Sequence, residues 1–506
     1  RKIQSLISRH KGNMGTPSNI DKITQNRYLA VSLQRIFSIY ESSLREANVL
    51  DFDDLLEKTV KLLTEHADVR EYYNETWKYV SVDEYQDTNE VQYQLARLLS
   101  GKHKNICVVG DSDQNIYSWR GACLHNIMDF QKQFPHTKVI ALEQNYRSTN
   151  HILRAANKLI GNNYSYYQKE LWSNLGEGEE VQIWQSYTEK EEAYDTVQAI
   201  QRKVREERLP LKECAILYRA NFQSRPLEDI LLQTNIPYKL IGGQSFYERK
   251  EIKDIMAYLR FAHTGVDKLA FERTLNLPKR GIGPLAMMKI EKVAEEFGIT
   301  LWDTCIELAE KRLSIGLSAK QNIGLQAYVD LILHIQNLLK EGHSLSEVMV
   351  KTVEKSGYLT YLKEDVETYE DRRDNLSELI AKAREMEEER EELSLEQFLE
   401  EMTLKTENVQ EQIEGDFLQL MTIHASKGLE FSYICLVGLE EDVLPYVTAK
   451  EDNLKMEEER RLCYVAITRA KQFLRLSYCK MRFIWGTSRV MAPSRFLKEI
   501  LYAKKP

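Results

Sequence analysis

Two adjacent carboxylates close an apolar run in Val82-Asp83-Glu84-Tyr85-Gln86-Asp87, and Gly110-Asp111-Ser112-Asp113-Gln114 closes the next one. One carboxylate so placed can hold Mg²⁺, usually through water, while its neighbour orients and deprotonates an attacking water. An isolated Asp-Glu pair is ordinary surface; the second carboxylate turn at the end of the next strand gives it weight. After Gln114 comes Ile116-Tyr117-Ser118-Trp119-Arg120-Gly121, where an indole offers a flat face to any base and a guanidinium can meet a phosphate. Further along, Pro278-Lys279-Arg280-Gly281-Ile282-Gly283 combines cations with glycines that let a backbone come close, a sequence-blind grip on phosphates. A bare Gly-x-Gly is more often an ordinary helix-helix turn. No G-x-x-x-x-G-K-[ST] occurs, so the loop that cradles nucleotide phosphates is missing from these residues.

These groups need elements to position them. Tyr79–Val82 and Ile106–Val109 read as strands with a helical run, Val91–Leu99, between them. That β-α-β order belongs to a parallel sheet, whose ligands gather at the carboxyl ends of its strands. Further strand candidates are residues 138–142, 181–184, 214–218, 417–421 and 434–437, so a second α/β unit is expected, interrupted in the middle. Residues 249–415 are nearly all helical in pattern and end in an acidic tract from Glu385 to Asp416, read as a solvated helix face or linker. Residues 1–50 read as helices, and Asp51 reads as the cap of the next one.

Bulk properties narrow the class. At 506 residues several domains are expected, and 43% hydrophobic with 29% charged residues is ordinary for a globular protein. A net charge of −8 disfavours coating of nucleic acid by bulk charge, so any polyanion site is expected to be a local groove. Seven dispersed cysteines without a C-x-x-C pair read as reduced thiols, mostly core filling, in a cytoplasmic setting. No stretch has the apolar length of a membrane span, no secretory signal heads the chain, and no internal repeat is visible.

Taken with Gln144-Asn145-Tyr146-Arg147-Ser148, Thr422-Ile423-His424-Ala425-Ser426-Lys427-Gly428-Leu429-Glu430-Phe431 and Tyr464-Val465-Ala466-Ile467-Thr468-Arg469-Ala470, the motifs stand in the order of one family. From about residue 30 to Phe496 the chain resembles the superfamily 1A DNA helicases of the UvrD/PcrA/Rep family. The resemblance implies two RecA-like parallel-sheet domains, the first incomplete, with a large mainly helical insertion in the second. It divides the chain at 1–50 (remnant of an accessory domain), 51–138 (first RecA-like domain), 139–248 and 416–506 (second RecA-like domain) and 249–415 (insertion).

The same resemblance implies ATP and Mg²⁺ as cofactors, with Asp83 the metal carboxylate and Glu84 the general base. Gln114 would sense the γ-phosphate, Tyr146 stack on adenine, Glu430 contact the ribose, and Arg147 and Arg469 meet transition-state charge. Phe52, Tyr117, Trp119, Arg120, Thr422 and His424 would contact single-stranded DNA. Lys279, Arg280, Gly281 and Gly283 would grip duplex at a single/double-strand junction. Repair or replication proteins are the partners it implies, with no membrane. Arg1 in place of an initiator Met and the missing phosphate loop lead us to expect an incomplete ATP-dependent 3′-to-5′ helicase, inactive as it stands. A non-hydrolysing DNA-binding module derived from a helicase is the rival reading; a helicase-nuclease subunit ranks lower because no nuclease cluster follows Arg469.

Overall fold

The computed structural model describes residues 2–22, 27–118, 121–164, 169–390, 393–410, 415–484 and 487–501. Strand β1 (Val80–Val82) pairs in parallel with β2 (Ile106–Val108), Val80 opposite Ile106, and the helix Glu90–Ser100 connects them. Asn89 starts that helix: its side chain accepts the Gln92 N–H while the Gln92 side chain returns a bond to the Asn89 N–H. The first α/β unit is therefore a β-α-β layer, as its alternation predicts.

The second unit holds β3 (Gln182–Thr188), β4 (Cys214–Tyr218), β5 (Tyr238–Ile241), β6 (Leu418–Thr422), β7 (Phe431–Leu436), β8 (Ala470–Ile484) and β9 (Thr487–Val490). Six run parallel in the order β3-β8-β7-β4-β6-β5, and β9 returns antiparallel along the end of β8. Strands β4 and β7 are buried along their whole length, as expected of a sheet covered on both faces. One face packs Leu217, Met421 and Ile434 against the helices Asn150–Ile160 and Asn453–Ile467. The other packs Ile216, Leu418 and Cys435 against Val197, Ile200 and Leu231. Five of the seven cysteines are buried and all seven are free, in keeping with core filling.

Three expectations need correction or extension. Residues 138–142 form no strand: the pairing nearest them is a single bridge between Gln144 and Trp172, and Val139, Ile140 and Leu142 are 48%, 67% and 75% exposed. Strand propensity alone does not suffice where no described strand lies alongside to satisfy the backbone. Strands β5, β8 and β9 were not anticipated. The acidic tract is also not simply a solvated face. Its start belongs to the helix Val366–Glu389, where Glu385 pairs with Arg225 and Lys190, and its continuation, the helix Leu395–Gln410, buries Phe398, Leu399 and Met402.

Between β5 and β6 lie helices running from Lys250–Thr264 to Leu395–Gln410, built around Tyr258, Phe261, Phe271 and Tyr328. The chain re-enters the sheet at Asp416, whose carboxylate accepts the Leu211 and Lys212 N–H groups, both at 2.8 Å. Ahead of the first sheet, Asp51 caps the helix Phe52–Glu65 as expected and shares the buried Lys11 ammonium with Asp54, at 2.9 Å each. Burial acts to lower the Lys11 pKa, and the bonds from Asp54 and Asp51 outweigh it, leaving the ammonium more firmly charged than usual.

Candidate nucleotide cleft and nucleic-acid track

Asp83 and Glu84 emerge where β1 ends, both exposed. Glu84 sits in the left-handed region (φ 48°, ψ 40°), uncommon for a residue with a Cβ, and the Asp83 carboxylate accepts its N–H at 2.8 Å. The Glu84 carboxylate accepts from Gln86 Nε2 at 2.5 Å and lies 3.5 Å from Lys427 Nζ. Buried Gln86 also accepts the Asp111 N–H at 2.9 Å, joining the ends of β1 and β2. A Cβ on Gly110 would stand 2.6 Å from that Gln86 oxygen, which is why the turn begins with glycine. Asp111 then accepts the Asp113 N–H and Gln114 Nε2, fixing the Gln114 amide.

The second unit supplies the cations. Asn145 accepts the N–H groups of Arg147 and Ser148, and Ser148 Oγ donates to the Ala470 carbonyl, so this strip is fastened to the start of β8. Arg147 Nε meets Glu430 at 2.7 Å and its Nη1 donates to the Thr468 carbonyl at 3.2 Å. The bond from Arg147 holds the Glu430 carboxyl below its ordinary pKa. Arg469 donates to Val465 and Leu429 carbonyls and reaches across to Gln114 Oε1 at 3.3 Å. Burial first, then the neighbouring Arg147 charge, pull the Arg469 pKa down to about 10.

Two guanidinium groups close enough for the Arg147 charge to act on Arg469, the latter buried, form a place that an anion would stabilise, within reach of the Glu84 charge. The residues present thus fit a nucleotide phosphate and a hydrated cation on Asp83, although the sequence supplies no phosphate loop. Tyr146, 79% exposed, presents its ring beside them and donates to Gln144.

Lys427 is the residue that sequence reading quoted without giving it work. Its ammonium bonds Asp87 and the Gln114 carbonyl, stands near Glu84, and lies 5.2 Å from the centre of the Tyr117 ring. The signal available was its place as the one cation in residues 422–431.

The residues expected to meet DNA lie on several elements. Tyr117 donates to the His424 carbonyl at 3.3 Å, and Thr422, ending β6, accepts the Ala425 N–H, so Tyr117, Thr422 and His424 share one seam between the units. Phe52, which pattern alone would bury, is 91% exposed at the start of its helix. Trp119 and Arg120 lie outside the described residues.

In the insertion, Lys279 is exposed and Gly281 takes φ +80°. Arg280 turns inward: its guanidinium caps the Thr274 and Leu277 carbonyls at 3.0 Å and the Tyr258 hydroxyl at 3.0 Å. Its backbone presses on Gly324, where a Cβ would meet the Arg280 carbonyl at 2.1 Å. Gly283 directly precedes the helix Pro284–Phe297.

Two family models cover most of the chain. The UvrD/REP helicase N-terminal domain matches residues 1–135, and the UvrD-like helicase C-terminal domain matches residues 140–481. The chain belongs to the UvrD-like helicase family. Among the similar proteins of this family, ATP-dependent DNA helicase PcrA of Staphylococcus epidermidis is 41% identical over 502 residues, 98% of this chain and 67% of that protein. ATP-dependent DNA helicase PcrA of Staphylococcus aureus is 40% identical over 501 residues, again 98% and 67%. The resemblance and the fold class read from the motifs hold for this family member. Among its described residues no helix is long and apolar enough to cross a membrane.

Proposed function

We propose that this UvrD-like chain forms most of an ATP-dependent DNA helicase that moves 3′ to 5′ on single-stranded DNA and opens duplex, in repair or replication restart in the cytoplasm. The observation that carries the reading is the contact of Arg469 with Gln114 across the cleft, with Arg147 beside it and Glu84 opposite. Residues 51–138 are one motor lobe, 139–248 with 416–506 the other, 249–415 the duplex-facing insertion and 1–50 an accessory segment.

In this reading ATP lies between the lobes. Glu84 takes a proton from the water that attacks the γ-phosphorus, the bond to the β-phosphate oxygen breaks, and ADP leaves. Arg147 and Arg469 meet the charge that develops on the transferring group, and Gln114 reads its presence. Asp83 would hold a hydrated Mg²⁺, whose chemistry there would be to offset phosphate charge. Tyr146 stacks on the base and Glu430 contacts the ribose. The seam that joins Gln114 to Arg469 also joins Tyr117 to His424. Closing it for hydrolysis therefore moves Tyr117, Thr422 and His424 against a DNA strand that Phe52, Trp119 and Arg120 also contact. Lys279, Gly281 and Gly283 hold the duplex backbone, with Arg280 shaping their loop from within.

The 506 residues contain no phosphate-cradling loop. By themselves they hold nucleotide weakly and turn it over little. That absence also favours the second reading, a DNA-binding module that does not hydrolyse. With a phosphate-loop segment supplied in cis, Glu84→Gln retains ATP binding and loses DNA-stimulated turnover by about 10²- to 10⁴-fold. Unchanged hydrolysis removes Glu84 from its role. Tight single-strand binding with no hydrolysis even in the parent protein supports the non-hydrolysing module.

A further inference from the structure

Lys169 has no part in any motif described above, yet its side chain, 19% exposed, stands where three strips of the molecule meet. Its own segment is tied to the strip that carries Tyr146 and Arg147: Glu170 N–H donates to the Glu143 carboxylate at 3.1 Å, Trp172 N–H to the Glu143 carbonyl at 3.1 Å, and Asn145 N–H to the Trp172 carbonyl at 2.7 Å. Its ammonium crosses to the turn after β2, bonding Asp111 and lying 3.2 Å from Asp113. It also lies 5.8 Å from the ring centre of Tyr464, on the helix that leads into Arg469.

The consequence follows from what Asp111 does. One of its oxygens takes the Lys169 ammonium and the Asp113 N–H, and the other accepts Gln114 Nε2 at 2.9 Å. That bond turns the Gln114 amide so that Oε1 faces Arg469. Lys169, Asp111, Gln114 and Arg469 thus form one chain of polar contacts that leaves the second unit, passes through the turn of the first and returns. Without the ammonium, Asp111 and the buried Asp113 face each other with less counter-charge, and the turn that aims Gln114 is no longer held to the strip bearing Arg147.

We infer that Lys169 is a positioning residue for nucleotide-dependent closure: it holds Asp111, and through it the Gln114 amide, in register with Arg147 and Arg469. The inference rests on the reading of Gln114 as the γ-phosphate sensor; the tether itself does not.

Two measurements separate these. In the 506-residue chain, hydrogen exchange of the amides in residues 111–118 rises about tenfold in Lys169→Met and stays close to the parent in Lys169→Arg, as the loss and retention of a charge-assisted bond require. With the phosphate-loop segment in cis, Lys169→Met lowers DNA-stimulated kcat about tenfold while KM for ATP moves less than about twofold, and Lys169→Arg restores kcat. Unchanged exchange in Lys169→Met overturns the tether. Faster exchange with unchanged kcat, or a rise in KM alone, overturns the positioning role. A parent protein with no turnover at all overturns the function proposed above, while the exchange result still decides the tether.

Discussion

Arg225→Met tests how the helical insertion is fastened to the second sheet. Arg225 stands on the helix Ser224–Gln233 and reaches Glu378 at 2.6 Å and Glu385 at 2.8 Å, both on the helix Val366–Glu389, as well as Asp229 at 3.1 Å. After its removal Glu385 keeps Lys190 at 3.0 Å, and Asp229 keeps the Tyr247 hydroxyl at 2.6 Å and Lys382 at 3.4 Å. Glu378 has no other hydrogen-bond donor among the described residues. Burial pushes the Glu378 pKa from its ordinary 4.5 up to about 7, against the pull of Arg225. Between those values the folded protein keeps a proton that the unfolded chain releases. Stability therefore falls as pH rises, by about 1.4 kcal/mol per pH unit, and levels off once Glu378 ionises beside Arg225.

In Arg225→Met the carboxyl has lost its nearest counter-charge, Arg482 acting more weakly, and stays protonated to higher pH, so the fall continues. The variant then trails the parent by a further ~1.4 kcal/mol at about pH 8 and ~2.8 kcal/mol at about pH 9, beyond a constant loss for the missing hydrogen bonds. Urea unfolding followed by far-UV circular dichroism reads the gap, and adding Glu378→Gln should flatten its pH dependence. A gap that is constant or narrows from about pH 7 to about pH 9 refutes the assignment.

Two other substitutions have outcomes set by the structure. Phe52→Ala should weaken single-strand binding by about 1–3 kcal/mol in a fluorescence titration and leave the urea midpoint unchanged, because the ring is exposed; a drop in stability with normal binding would return Phe52 to the core. Gly324→Ala places a methyl against the Arg280 carbonyl, so a stability loss of about 1–3 kcal/mol with weaker duplex binding is expected; normal stability and duplex affinity would mean that this approach is not needed.

Local pattern carried the reading of this chain a long way where function rests on residues close in sequence. Apolar runs ending in Asp83-Glu84 and Gly110-Asp111 could be read as strand ends, and they are. Asp51 could be read as a cap because capping is a relation between neighbours, and it is one. What escaped was set by partners far along the chain. Residues 138–142 have strand composition and, among the described residues, no strand beside them. Glu385 looked solvated until Arg225, 160 positions earlier, came to meet it. The cation of Arg280 was assigned outward, whereas four carbonyls and two tyrosine rings draw it inward. Lys169 carries no local signature and Lys427 only its place as the one cation in its motif, because each is positioned by reaching the other unit, across 58 and 340 residues respectively.

The paired bonds from Leu211 and Lys212 to Asp416 act as an anchor bolt at the point where the chain leaves the helices for β6. Because β6 runs from there to Thr422 in register with β4 and β5, fixing its start also fixes where Thr422 emerges at its far end.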